Sequence, residues 1–180
     1  MFSLIHGLVH YIFSRPEYFV QVIGLDGAGK TCLLERLKVL NNPKYTPMRP
    51  EKLTPTIGLN VGELVMAGIK LVFWDLGGQE DLQSLWAKYY KEVHAIVYVV
   101  DGTAKDRLRA SQAAFDSMVD SRHASGIPVL VLLNKADEEA ACMSIAEFKQ
   151  VFNESAPRLG PRDCKVLRVS ALTGDGVDEA

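Results

Sequence analysis

Cysteine is scarce in this chain. Only Cys32, Cys142 and Cys164 occur among 180 residues, and no pair sits at a spacing that would grip a metal. An odd, scattered set argues against a disulfide framework or a zinc site. It reads as reduced thiols in a reducing compartment. An excess of positive charge is also missing. Twenty Lys and Arg face 22 Asp and Glu, for a net charge of −2. That leaves no electrostatic footprint for nucleic acid. No apolar run reaches the ~20 residues a membrane-spanning helix needs. The four histidines are dispersed, and His94, at the mouth of an apolar run, reads as a strand-edge residue and not a ligand. Neither an internal repeat nor a low-complexity tract is present. What remains is ordinary apolar content at a length suited to one domain with a full core.

Apolar runs and helical patterns alternate along the chain. Strands are expected at Tyr18–Ile23, Leu59–Met66, Ile69–Trp74, His94–Val100, Pro128–Leu133 and Lys165–Val169. Helices are expected at Lys30–Leu40, Leu82–Lys91, Asp106–Val119 and near Ser144–Phe152. The second and third strands read as a hairpin turning at Ala67-Gly68, and the proline-bearing loop 41–55 should hold no helix. This order implies an α/β fold: a doubly wound, six-stranded, mostly parallel sheet with one antiparallel edge strand and helices on both faces. Ligands of such sheets bind beyond the carboxyl ends of the strands.

Three motifs fall at those ends. Gly24-Leu25-Asp26-Gly27-Ala28-Gly29-Lys30-Thr31 follows the first strand and opens the first helix. It fits the phosphate-cradling loop, in which glycines let successive N–H groups turn inward toward phosphate oxygens. Lys30 would reach the β- and γ-phosphates, and the Thr31 hydroxyl would ligate Mg²⁺. The helix N-terminus adds the positive end of its dipole.

Trp74-Asp75-Leu76-Gly77-Gly78-Gln79-Glu80 closes a strand. Asp75 stands where Mg²⁺, or the water bound to it, would be held. Gly78 could bring an N–H to the γ-phosphate, and Gln79 could orient an attacking water. Asn134-Lys135-Ala136-Asp137 decides the base. A carboxylate at Asp137 pairs with the two donors of guanine and would face the lone pair of adenine N1, an unpaired arrangement that is costly when buried. Asn134 would bond the base edge and brace the phosphate loop, and the Lys135 stem could lie across the purine. Ser170-Ala171-Leu172 could present an N–H to the guanine oxygen.

With these motifs and Thr54-Pro55-Thr56-Ile57-Gly58-Leu59-Asn60, the chain resembles the ADP-ribosylation-factor branch of the small GTPases, over essentially its whole length. Met1-Phe2, Leu59 and the long loop 41–54 resemble its factor-related subfamily most. The resemblance implies GTP/GDP and Mg²⁺ as ligands. The implied nucleotide set is Gly24, Asp26, Gly27, Ala28, Gly29, Lys30, Thr31, Cys32, Thr56, Gly78, Asn134, Lys135, Asp137, Ser170, Ala171 and Leu172. Thr31, Thr56 and, through water, Asp75 are the implied metal set, and Gln79 and Lys30 the catalytic pair. Leu59, Trp74 and Tyr89 would contact effectors, with ordinary core as the alternative for Leu59 and Tyr89. An exchange factor and a GTPase-activating protein are implied as partners. No arginine lies in either presumed switch segment except Arg49. A trans arginine, typically worth ~10³–10⁵ in rate, is therefore expected.

Residues 1–16 read as an amphipathic helix and linker ahead of a GTPase domain at 17–180. Phe2 stands where N-myristoylation needs glycine. The helix itself is then expected to associate peripherally with membrane, although packing in a groove of the domain is its other reading. The subfamily resemblance implies cytoplasmic protein at the trans-Golgi surface in vesicle traffic. The family continues with a helix just where Val177-Asp178-Glu179 occur, so a truncated helix and a partly uncovered sheet face are expected. Two other functions fit the motifs less well. A nucleoside monophosphate kinase would leave Asn134–Asp137 without a task. A non-hydrolysing guanine-nucleotide-binding module would not need Gln79.

Overall fold

The computed structural model describes residues 15–66 and 68–179, so the N-terminal helix expected within residues 1–13 lies outside the described residues. Six strands form one sheet: β1 (Glu17–Ile23), β2 (Leu59–Met66), β3 (Ile69–Leu76), β4 (Ala95–Asp101), β5 (Val129–Asn134) and β6 (Cys164–Arg168). Their order is β2-β3-β1-β4-β5-β6. Among the described residues only the β2–β3 pair is antiparallel, with Leu59 opposite Leu76 and Met66 opposite Ile69. Among the described residues four α-helices accompany them: α1 (Lys30–Asn41), α2 (Trp86–Tyr89), α3 (Leu108–Val119) and α4 (Ile145–Phe152).

Period-two alternation of the central strands loads both faces of the sheet. Ile96, Tyr98, Val100, Val131 and Leu133 pack against Phe115, Met118, Phe148 and Phe152 of α3 and α4. Val22, Val97, Val99 and Leu132 pack on the other face with Leu33 and Leu34 of α1. Leu71, Ala95, Leu130 and Leu167 on that second face are only half-buried. Ser144 begins α4 with a capping box, its hydroxyl accepting from the Glu147 N–H while Glu147 reaches back to the Ser144 amide.

Three expectations need correction. The helix read over Leu82–Lys91 is a 3₁₀ segment at Glu80–Leu85 followed by the single turn of α2. Trp86 is buried, its indole N–H donates to the Gly77 carbonyl (2.9 Å), and Gln21 donates to its carbonyl (3.0 Å). These contacts from outside the segment override its helical periodicity. The helix read from Asp106 opens with a 3₁₀ turn at Lys105–Arg107 and becomes α-helical only at Leu108. The loop 41–55 is not free of helix, because α1 runs to Asn41 and a 3₁₀ turn forms at Pro50–Lys52. Proline suits the first position of that turn, where no N–H is needed. His94 lies just before β4, and its Nδ1 accepts the Phe19 N–H (3.0 Å).

Candidate functional site

Beyond the carboxyl ends of β1, β3, β4 and β5 lies a cavity of about 550 Å³. It is lined by Asp26, Gly27 and residues 29–32, the stretch 53–56, Gly78 and Gln79, Asn134, Lys135 and Asp137, and Ala171 and Leu172. Of the sixteen nucleotide residues expected from sequence, Gly24, Ala28 and Ser170 do not line it, nor does Asp75 of the metal set. They sit behind the wall and support it.

The phosphate end is built on the turn between β1 and α1. Gly29 adopts φ +92°, and a Cβ there would strike the Asn134 amide nitrogen. That amide donates to the Ala28 carbonyl (2.7 Å) and accepts from the Ala171 N–H (2.9 Å). One side chain thus ties three sequence-distant loops together, and one amide expected for the guanine oxygen is already engaged in holding its loop. Lys30 is 6% exposed and donates to the Gly24 and Leu25 carbonyls at 3.0 and 2.9 Å. Burial lowers its pKa to about 8, against the raising effect of Asp75 and Asp26.

Beside Lys30 the Thr31 hydroxyl donates to Asp75 Oδ2 (2.7 Å) and meets the Thr56 hydroxyl at 3.0 Å. Burial pushes the Asp75 carboxyl above its ordinary range, opposed by the bond from Thr31 and the charge of Lys30. Asp75 Oδ1 is buried with no partner. Three hard oxygens and an orphaned carboxylate oxygen fit Mg²⁺, which keeps several ligands as water or substrate phosphate. No cluster of three or more His, Cys, Asp or Glu occurs among the described residues. The donor set is therefore one carboxylate and two hydroxyls.

Gly78 presses on the phosphate loop so closely that a Cβ would collide with the Gly24 carbonyl and the Asp26 amide. Glycine is required there by close approach and not by backbone angle. The preceding Gly77 is fixed by its N–H to the Gly58 carbonyl (3.1 Å) and by Trp86. Gln79, half-buried, stands at the cavity edge, and its carbonyl accepts from Leu82 and Gln83.

At the other end, Asp137 Oδ1 accepts the Ser170 hydroxyl (2.5 Å), and Ser170 is fully buried. Lys135 takes a left-handed backbone (φ 68°), unusual for a side chain of its size, and donates to Asp101 (2.6 Å). Cys32 borders the cavity, and burial raises its pKa.

Two contributors escaped the sequence reading. Asp101 orients Lys135 from the end of β4. Arg107 reaches the phosphate loop from 81 residues away, donating to the Asp26 carboxylate (2.5 Å) and its backbone carbonyl (3.0 Å). That guanidinium holds the Asp26 carboxyl below the usual range. Nothing local marks either residue, because only the sheet order brings their ends together.

The expected effector set lies away from the cavity. Leu59 is exposed, while Trp74 and Tyr89 are half-buried and meet edge-on at 5.3 Å. Val61 pairs with Trp74 across the hairpin and extends the apolar strip.

The ADP-ribosylation factor family model matches residues 5–180. The chain belongs to that family. Its members are small GTPases, and the chain is accordingly a guanine-nucleotide-binding enzyme that hydrolyses GTP. ADP-ribosylation factor-related protein 1 of Bos taurus is 49% identical over 179 residues, covering 99% of this chain and 89% of the relative. The Homo sapiens protein of that name is 48% identical with the same coverage. ADP-ribosylation factor-like protein 3 of Saccharomyces cerevisiae is 38% identical over 181 residues, covering all of this chain and 90% of that one. Among solved structures, the Arl6 BBS3 small GTPase of Trypanosoma brucei with bound GppNp matches at TM-score 0.75 and 25% identity, covering 91% of this chain and 92% of that one.

Proposed function

We propose that the chain is a membrane-recruited switch that gathers effectors on Golgi membranes when it holds GTP and releases them after hydrolysis. The observation that carries the nucleotide part is the convergence of four sequence-distant segments on one cavity, with oxygens at one end and a braced carboxylate at the other. Asp137 would take the guanine edge, Lys30 and the loop amides the phosphates, and Gly78 the γ-phosphate. Thr31, Thr56 and Asp75 would hold Mg²⁺, directly or through water, which when bound offsets charge on the phosphate oxygens.

In hydrolysis Gln79 would orient the water in line with the γ-phosphate. Lys30 and the loop amides stabilise charge on the equatorial oxygens. Arg107 is committed to Asp26 on the loop, so the arginine that speeds the step would come from an activating protein. Gln79→Leu should reduce turnover to background and leave GTP affinity intact. Single-turnover phosphate release reads this, and normal hydrolysis by the variant would remove Gln79 from the reaction.

The membrane part rests on the apolar pattern of residues 1–13 and on the antiparallel hairpin. A slide of β2–β3 by two residues keeps every side chain on its face, whereas a slide by one would invert them all. Such a slide on GTP binding would displace the N-terminal segment from the domain. Each large apolar side chain it then buried in lipid would contribute roughly 1.5–3 kcal/mol. Flotation with liposomes tests this. The Gln79→Leu chain loaded with GTP should float and the GDP form should not, and deletion of residues 1–13 should abolish flotation. Equal flotation of both nucleotide forms would defeat the coupling.

A further inference from the structure

In the loop between α1 and β2, Pro50, Leu53, Thr54, Pro55 and Thr56 all line the cavity. The loop's far end is tied at Thr56 to Thr31 and Asp75, and its near end is held by one side chain of α1. Glu35 stands in the middle of α1 and is 7% exposed, unusual for a carboxylate. Its two oxygens accept from three groups. The Met48 backbone N–H donates to Oε2 at 2.8 Å, and the Tyr45 hydroxyl lies 2.9 and 3.1 Å from Oε2 and Oε1. Lys38 donates to Oε1 at 2.7 Å.

The loop is shaped to reach it. Asn42 Oδ1 accepts the Lys44 N–H (3.1 Å) and the Asn42 carbonyl accepts the Tyr45 N–H (2.8 Å), a tight turn that swings Tyr45 back over α1. The Lys38 ammonium lies 5.6 Å from the centre of the Tyr45 ring. Met48 precedes Pro50 by two residues, so an anchored Met48 amide confines the first cavity-lining residue of the loop to within ~7 Å of the anchor.

A helical i,i+3 pair such as Glu35–Lys38 would by itself contribute little. The buried acceptor and the main-chain donor make this cluster different. Burial drives the Glu35 carboxyl up, but the bonds from Lys38, Met48 and Tyr45 together hold it below the ordinary range, so it stays charged. A charged acceptor that lost its loop donors would keep only the Lys38 bond, at Oε1, and the loss of the other two opposes opening of the loop.

We propose that Glu35 is a positioning residue that clamps the 42–55 loop over the nucleotide cavity and slows nucleotide release. The inference rests on reading that cavity as the guanine-nucleotide site. It gives the same helix two tasks, because α1 begins at Lys30, beneath the phosphates, and holds the strap one turn later.

The test has two readouts on the full chain. One is the release rate of fluorescently labelled GDP, and the other is hydrogen exchange at the amides of Tyr45, Thr46, Met48 and Arg49. Tyr45→Phe removes one donor from a half-exposed loop side chain, Glu35→Gln weakens the acceptor, and Glu35→Ala deletes it. Release should quicken in that order, on the order of tenfold for Glu35→Gln, as one charge-assisted bond is lost. Exchange at those loop amides should quicken in parallel, with no matching fall in thermal midpoint. Faster exchange with unchanged release would overturn the clamp as a control on nucleotide. Unchanged exchange would overturn the clamp itself. Should Glu35→Ala not fold, Tyr45→Phe and Glu35→Gln still decide the matter. A wild-type chain that bound no labelled GDP would defeat the reading of the cavity, and the loop-exchange result would still stand or fall on its own.

Discussion

Asp137→Asn should lower affinity for GTP by on the order of 10³-fold and transfer preference to xanthosine triphosphate. The reason lies in how Asp137 is held. The Ser170 oxygen accepts the Thr173 N–H (3.0 Å), which aims its proton at Asp137 Oδ1. In the Asp137→Asn variant the same proton would fix the amide oxygen, leaving the NH₂ to face the base. Guanine presents an amine there, so donor would meet donor in a buried contact. Xanthine presents a carbonyl at that position and would be satisfied. Competition of GTP, xanthosine triphosphate and ATP against labelled GDP measures the exchange of preference. An unchanged order would remove Asp137 from the base edge and leave its tie to Ser170 as merely structural.

Lys30→Met should weaken binding of both GDP and GTP by about 2–5 kcal/mol, roughly thirtyfold to several-thousandfold, as expected when one member of a desolvated charge pair is lost. The wild type offers a gentler version of the same experiment through pH. Burial holds the free chain's Lys30 at about 8. Bound phosphate, a nearby negative charge, must raise that value. Above pH 8 binding therefore takes up a proton, and affinity should fall with rising pH, by up to tenfold per unit. Below pH 8 this dependence should flatten. The same group acts oppositely on the empty chain. Its folded value lies below the ordinary 10.5, so the unfolded chain keeps its proton longer, and stability should rise between about pH 8 and 10.5. Titration calorimetry and thermal melts over that range read the two slopes. Affinity that is level through pH 9 would mean that Lys30 does not touch phosphate.

The strand set, the order of strands and helices, and the three motifs are legible in the residues alone, because each is local. A strand announces itself by alternation, a phosphate loop by glycine spacing, and a base-reading loop by the side chains that follow a strand. Those signals also place the motifs at one edge of the sheet, since parallel crossovers put all carboxyl ends on the same side. The exposure of Leu59 is legible only as far as the hairpin register can be guessed, and the meeting of Trp74 with Tyr89 depends on where α2 packs against β3.

The rest depends on how distant segments meet. Gln21 and Trp86 break a segment that reads as helix, because a buried indole and a buried amide must find partners wherever the chain brings them near. Arg107 at Asp26, Asp101 at Lys135 and the Asn134 tie between two loops join residues 34 to 106 positions apart. Glu35 shows the difference most plainly. In sequence it is one more acid beside a lysine on a helix. In the fold it lies under a returning loop, where desolvation makes every donor it holds matter.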